Sequence, residues 1–174
     1  MSPVMYTIGH STRPLADFID LLKAHGVGRL VDIRSIPRSR RHPHFAADAL
    51  SASLGEASIA YQHSPALGGM RKPRSDSRNT AWRVEGFRGY ADYMETKAFR
   101  TALEDLIVLA SETPTAIMCA EAVWWRCHRQ LVADALVARG IEVRHIASAS
   151  AAPAHTLTDF AQVEDGFVTY RRLI

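Results

Sequence analysis

The stretch PVMYTIGHSTRPLADFIDLLKAHGVGRLVDIRSIP, residues 3–37, decides the fold. PVMYTIG is short, mostly apolar and rich in β-formers, and Gly9 stops it, which predicts a buried strand. HSTRP follows as a loop, with Ser11 or Thr12 expected to cap a helix and Pro14 in its first turn. Leu15, Phe18, Ile19, Leu21 and Leu22 then form a helical apolar stripe that ends at Gly26. VGRLVDIRSIP is a second strand, closed by Pro37. Strand, helix and strand within this span predict a βαβ unit, whose crossover implies parallel pairing.

Further along, PTAIMC predicts a strand, WWRCHRQLVADALVARG a helix and IEVRHI a strand, a second βαβ unit. Between the two units lie a short helix near 46–54 and a strand at 59–62. GYADYMETKAFRTALEDLIVLAS supplies one long helix, or two joined near Thr96. Residues 68–88 are polar, basic and weakly periodic, which predicts either a disordered segment or a binding loop. The tract ASASAAPA near residue 150 is linker-like but marks no domain boundary, and residues 151–174 give no firm assignment. The expected architecture is a single α/β domain over residues 1–174, a central, mainly parallel sheet with helices on both faces.

The chain has 174 residues, 47% hydrophobic and 22% charged, enough for one substantial core. No apolar run approaches bilayer-spanning length, and MSPVMYTIGHSTRP lacks a signal-peptide pattern, so a cytoplasmic protein without membrane contact is expected. Two cysteines, eight positions apart, argue against a disulfide framework. Net charge is +3. Residues 34–88 hold ten Lys/Arg against four Asp/Glu, so the basic surplus is local. That asymmetry points to an anion-binding surface, with a solvated charged loop as the plain alternative.

In an open parallel sheet, ligands bind beyond the carboxyl ends of the strands. His10 and Ser11 follow the first strand. Asp32 and Arg34 end the second, with Arg38, Arg40 and Arg41 just beyond. Cys119 and Glu121 follow the 115–119 strand, and His145 ends the last. Asp32 needs a cation or backbone donors if buried; Arg34 is one candidate and a more distant arginine another. The arginines at 34–41 are suited to clamping phosphate. Glu121 is either a helix-capping carboxylate or a general acid/base. Cys119 is a candidate nucleophile activated by a helix terminus and by Arg126, His128 or Arg129; the alternative is a small core residue. Its spacing to Arg126 is one residue longer than the phosphatase pattern and has no glycine. Cys127 falls on the apolar side of the helix, and a metal site using both cysteines and His128 would have irregular spacing.

TIGHS at 7–11, DIRSIPRSR at 32–40, LGG at 67–69, YADYM at 90–94 and MCAE…CHR at 118–129, in that order, resemble the domain of unknown function 488 family. The resemblance implies an α/β fold and marks Gly9, His10, Ser11, Asp32, Arg34, Pro37, Ser39, Arg40, Gly68, Gly69, Cys119, Glu121, Cys127, His128 and Arg129 as signature positions. It implies no reaction and no cofactor. Family members often carry a proline between the Glu and the Cys-His-Arg, where this chain has AVWW.

The leading expectation is an enzyme acting on a phosphate-bearing ligand, a nucleotide or nucleic-acid component. In it Glu121, Cys119, His128 and His10 are the catalytic candidates, while Ser11, Asp32, Arg34, Arg38, Arg40, Gly68, Gly69 and Arg129 bind the ligand. A second is a non-enzymatic nucleic-acid-binding module using the basic segment 34–88, with Trp82, Phe87 and Tyr90 stacking on bases. A third is a metal or thiol redox site at Cys119 and Cys127.

Overall fold

A computed structural model describes residues 3–173. Strand β1 (Val4–Gly9) leads through helix α1 (Leu15–Ala24) to β2 (Arg29–Asp32), as the sequence predicts. Helix α2 (Ala47–Glu56) and strand β3 (Ala60–His63) follow, then α3 (Glu85–Tyr93), α4 (Lys97–Glu112), β4 (Thr115–Cys119), α5 (Arg129–Ala138) and β5 (Glu142–His145). The five strands form one sheet in the order β3-β2-β4-β1-β5, every pair parallel. A separate antiparallel hairpin, β6 (Gln162–Glu164) and β7 (Phe167–Thr169), closes the chain.

Strand β4 is central and buried at all five positions, so TAIMC shows no polar alternation. Its side chains divide between two cores. Ala116 and Met118 join Phe18 and Leu22 of α1 and Leu50 and Leu54 of α2 on one face. Ile117 and Cys119 join Tyr90, Phe99, Leu103, Leu131 and Leu136 from α3, α4 and α5 on the other. Helices therefore cover both faces of this single α/β domain.

Several local expectations change. Neither Ser11 nor Thr12 caps α1: Pro14 occupies that position, and no side chain accepts from the first turn. The helix expected from Trp124 starts at Arg129, preceded by a one-turn 3-10 helix at Trp124–Arg126. Between α3 and α4 the chain breaks, and the Thr96 hydroxyl accepts from the Phe99 amide as an N-cap.

The basic segment 68–88 is an ordered strap. Asp92 accepts from the Arg74 amide, the Ser77 hydroxyl and the Asn79 amide side chain. Asn79, fully buried, also accepts from the Tyr170 amide. Arg71 lies 3.7 Å from the Tyr93 ring centroid, and Arg74 and Arg78 pair with Glu95. Trp82 and Tyr90 are buried, 8% and 1% exposed, rather than displayed on the surface of the strap.

Candidate functional site

Adjacent strands β2 and β4 send their chains to opposite faces, β2 toward α2 and β4 toward α5. Such a switch leaves a crevice beyond the strand ends. A cavity of about 390 Å3 opens there. Three separate stretches line it: Arg34–Ile36 and Arg38 after β2, Gly69 and Met70 at the start of the strap, and Cys119–Glu121 with Arg126–His128 around the start of α5. Val84, Phe87 and Tyr90 complete the wall.

The mouth is apolar and exposed. Ile36, Met70 and Val84 are 57%, 84% and 56% accessible, a concentration of wet apolar surface at one opening. Met70 also holds a φ of 61°, a left-handed conformation that disfavours side chains other than glycine. Arg38, Glu121 and Arg126 are exposed around the same opening. Among the described residues neither arginine has a carboxylate partner.

Thiols occupy the floor. Cys119 and Cys127 are both buried and free, and the Cys119 Sγ faces the Glu121 carbonyl oxygen at 3.6 Å. The neighbouring Cys127 thiol lowers the proton affinity of Cys119 below that of an ordinary cysteine; burial opposes this, and the Arg129 charge reinforces it. Cys127 moves the other way: the neighbouring Cys119 sulfur and burial raise it. At the start of α5 the Arg129 amide donates to the Cys127 sulfur at 3.4 Å. His128 turns its Nε2 to the Ile33 carbonyl at 2.9 Å, so that nitrogen carries the hydrogen and Nδ1 is left bare beside Cys127, 3.6 Å away. Burial holds the His128 ring neutral, with its pKa lowered to about 4.

Arg129 is 1% exposed and has no carboxylate in contact among the described residues. It donates to the carbonyls of Glu121 and Ala122 and to the Thr7 hydroxyl, and its Nε has no partner. From Thr7 a buried chain runs on. The Thr7 hydroxyl meets His145 Nδ1 at 2.5 Å, His145 Nε2 meets His155 Nδ1 at 2.8 Å, and His155 Nε2 meets Asp134 at 2.7 Å. One assignment of hydrogens satisfies every link, each group donating toward Asp134. Burial, then the neighbouring His155 and Arg129, lower the His145 pKa to about 3. Trp124 stacks on His145 with centroids 4.5 Å apart and planes within 4°.

The first-loop histidine stands behind Arg34, away from the cavity lining. His10 Nδ1 donates to the Ser11 carbonyl, and Nε2 accepts from Arg34 at 3.4 Å. Its ring stacks on Phe45, and burial lowers its pKa, with Arg34 adding to the effect. Asp32, fully buried, is bound by Arg34 through Nε at 2.9 Å and NH2 at 2.7 Å, and by the Tyr61 hydroxyl at 2.6 Å. Residues two apart on a strand share a face, so Arg34 itself is the cation Asp32 needs. Arg34 also donates to the Phe45 carbonyl, which leaves little of it for a ligand.

Of the sequence-derived candidates, Arg34, Arg38, Gly69, Cys119, Glu121 and His128 line the cavity. His10 and Asp32 stand behind Arg34, and Arg129 stands behind the thiols. Ser11, with φ 48°, bonds its amide to the Ala120 carbonyl and so ties the first loop to the β4 loop. Gly68 packs where a Cβ would lie 2.6 Å from Ser35 Oγ, which makes room for Gly69 at the wall. Arg40 is exposed and away from the cavity lining. Glu121 is also exposed, with α5 starting eight residues later, so helix capping does not explain it. The apolar mouth residues Ile36, Met70 and Val84 and the Thr7–His145–His155–Asp134 chain were missed; only the pairing of chain segments reveals them. Among the described residues, no group of three or more His, Cys, Asp or Glu could hold a metal ion, and no helix is long and apolar enough to cross a membrane.

A parallel α/β sheet with ionisable groups gathered at one switch point defines a ligand-site class rather than a reaction. Residues 14–136 match the family model described as "Domain of unknown function DUF488", and the chain belongs to that family. No curated protein and no solved structure matches it.

Proposed function

We propose that the chain is an enzyme acting on a small phosphate-bearing ligand, a mononucleotide or nucleotide component, held in the β2–β4 crevice. The observation that carries this reading is the make-up of one cavity. Arg38 and Arg126 stand at the opening without carboxylate partners, beside an exposed apolar wall of Ile36, Met70 and Val84. Forked guanidinium donors suit phosphate oxygens, and an apolar wall suits the face of a base or another flat ring. A volume of about 390 Å3 lies within the range of small-molecule sites, about 300–1,000 Å3. In this reading Glu121 moves the proton, while Arg34, fixed by Asp32 and His10, shapes the wall.

Thermal shift of the purified chain with nucleoside monophosphates, sugar phosphates and inorganic phosphate tests the proposal. A nucleoside monophosphate is expected to raise the midpoint more than inorganic phosphate does, and Glu121→Gln is expected to keep that shift. No stabilisation by any of these at millimolar concentration contradicts it.

A further inference from the structure

Another cavity, of about 690 Å3, adjoins the first. Val84 lines both, so the two openings meet over one exposed side chain. An aromatic wall joins them as well. Phe87 of the first cavity meets Trp82 of the second edge-on, with centroids 5.2 Å apart, and Trp82 meets Phe160 at 4.8 Å.

The chemistry of the first opening is repeated at the second. Arg83, Arg171 and Arg172 stand exposed in its lining, and among the described residues none has a carboxylate partner, although Asp159 lines the same cavity. Val84, Phe160 and Leu173 give it exposed apolar surface. The arginines at 171 and 172 ride on ordered backbone. The Tyr170 amide donates to the Asn79 side chain, the Ala81 amide to the Tyr170 carbonyl, and the Arg172 amide to the Thr80 hydroxyl. One exposed arginine cluster is ordinary solvated surface. Two adjoining openings, each setting unpartnered guanidinium groups beside apolar walls, match a ligand that alternates charge with flat rings. A single-stranded nucleic acid does so, phosphate and base in turn, whereas a duplex hides its base faces.

We propose that the crevice ligand is a single-stranded oligonucleotide, whose following nucleotides cross Val84 into the cavity of Arg83, Arg171 and Arg172. The proposal rests on the phosphate-ligand reading of the crevice and extends it. Arg38 and Arg126 hold the phosphate at the crevice, the three further arginines hold those that follow, and Phe160 offers its ring to a base.

Fluorescence anisotropy of the purified full chain with a labelled thymidine hexanucleotide, and with its uridine counterpart, tests this across a salt series. Deoxyribose and ribose strands share the chemistry, and tight binding of either supports the proposal. A hexanucleotide is expected to bind on the order of tenfold tighter than the nucleoside monophosphate, and an Arg171→Gln, Arg172→Gln double variant to lose that gain, with a salt slope shallower by about 1.4. Both side chains are exposed and the backbone bonds survive the change, so the variant keeps its fold and its thermal shift with the monophosphate. A hexanucleotide that binds no tighter than the monophosphate, or equally well to that variant, overturns the oligonucleotide and leaves the crevice reading standing. Hexanucleotide binding indifferent to an Arg38→Gln, Arg126→Gln double variant also overturns it, by placing the strand in the second cavity alone. Displacement by polyglutamate as effective as by unlabelled hexanucleotide overturns it in favour of an acidic protein segment. Binding of neither monophosphate nor hexanucleotide overturns both readings.

Discussion

The Glu121 carbonyl oxygen sits 1.7 Å from where a Cβ on Gly9 would be, and the Glu121 carbonyl carbon 2.6 Å from it. The end of β1 and the loop after β4 are thus in backbone contact, and only glycine admits it. That contact, with the His10 and Ser11 amides bonded to the Cys119 and Ala120 carbonyls, fixes the cavity loop to the sheet. Gly9→Ala is expected to push the loop away, with a cost of about 1–3 kcal/mol or more in urea unfolding and loss of any ligand-induced thermal shift. Gly55→Ala on α2, with nothing near the added Cβ, is the control and is expected to gain up to about 1 kcal/mol. Equal, small effects at both positions contradict this packing.

Asp32 and Arg34 form a buried pair, 0% and 6% exposed. Asp32→Ala leaves the guanidinium without its carboxylate and is expected to cost about 3–5 kcal/mol. Tyr61→Phe removes one hydrogen bond to that carboxylate and is expected to cost about 1.5–3 kcal/mol. Chemical denaturation reads both, and a reversed order contradicts the assigned network.

His128 and His145 give the fold a defined acid response. Unfolded, each takes up a proton near the ordinary histidine value of 6.5; folded, His128 resists until about pH 4 and His145 until about pH 3. Between those limits the unfolded chain binds more protons. Stability is therefore unaffected by these groups above pH 6.5 and falls as the pH drops below it, by on the order of 3 kcal/mol for His128 alone. Histidine ring signals in an NMR titration check this: both rings are expected to remain neutral at pH 5. Protonation of either near pH 6.5 contradicts the burial assigned to it.

Met70 combines a left-handed backbone with a side chain standing in solvent at the cavity mouth. Met70→Gly is expected to stabilise the fold by about 1 kcal/mol while weakening ligand binding. A stabilised variant with undiminished ligand shift would place the ligand away from this wall.

Much of the fold was legible in the sequence because its signals are local. The 3–37 stretch carries both strand patterns and the helical stripe between them, and TAIMC reads as a buried strand without reference to anything distant. The closing hairpin was legible too, and was missed: Asp165 and Gly166 carry φ of 53° and 80°, the turn that an Asp-Gly pair favours between short strands. The strap at 68–88 reads from sequence as either disordered or a binding loop because its order comes from Asp92 and Tyr170, partners outside the segment. The site divides in the same way. Strand ends identify Cys119, Glu121 and Arg34, since parallel pairing alone gathers them. That Arg34 is consumed by Asp32, that Arg129 has no acid in contact among the described residues, and that Cys127 lies beside His128 depend on side-chain packing, which no local pattern encodes.

Backbone amide shifts of labelled protein titrated with a nucleoside monophosphate locate the ligand most directly. Perturbations are expected to cluster at Ser35–Arg38, Gly69–Met70, Ala120–Glu121 and Arg126–His128, and to vanish in an Arg38→Gln, Arg126→Gln double variant. Perturbations confined instead to a separate surface cavity lined by Thr80–Arg83 and Arg171–Leu173 would contradict a ligand site in the β2–β4 crevice.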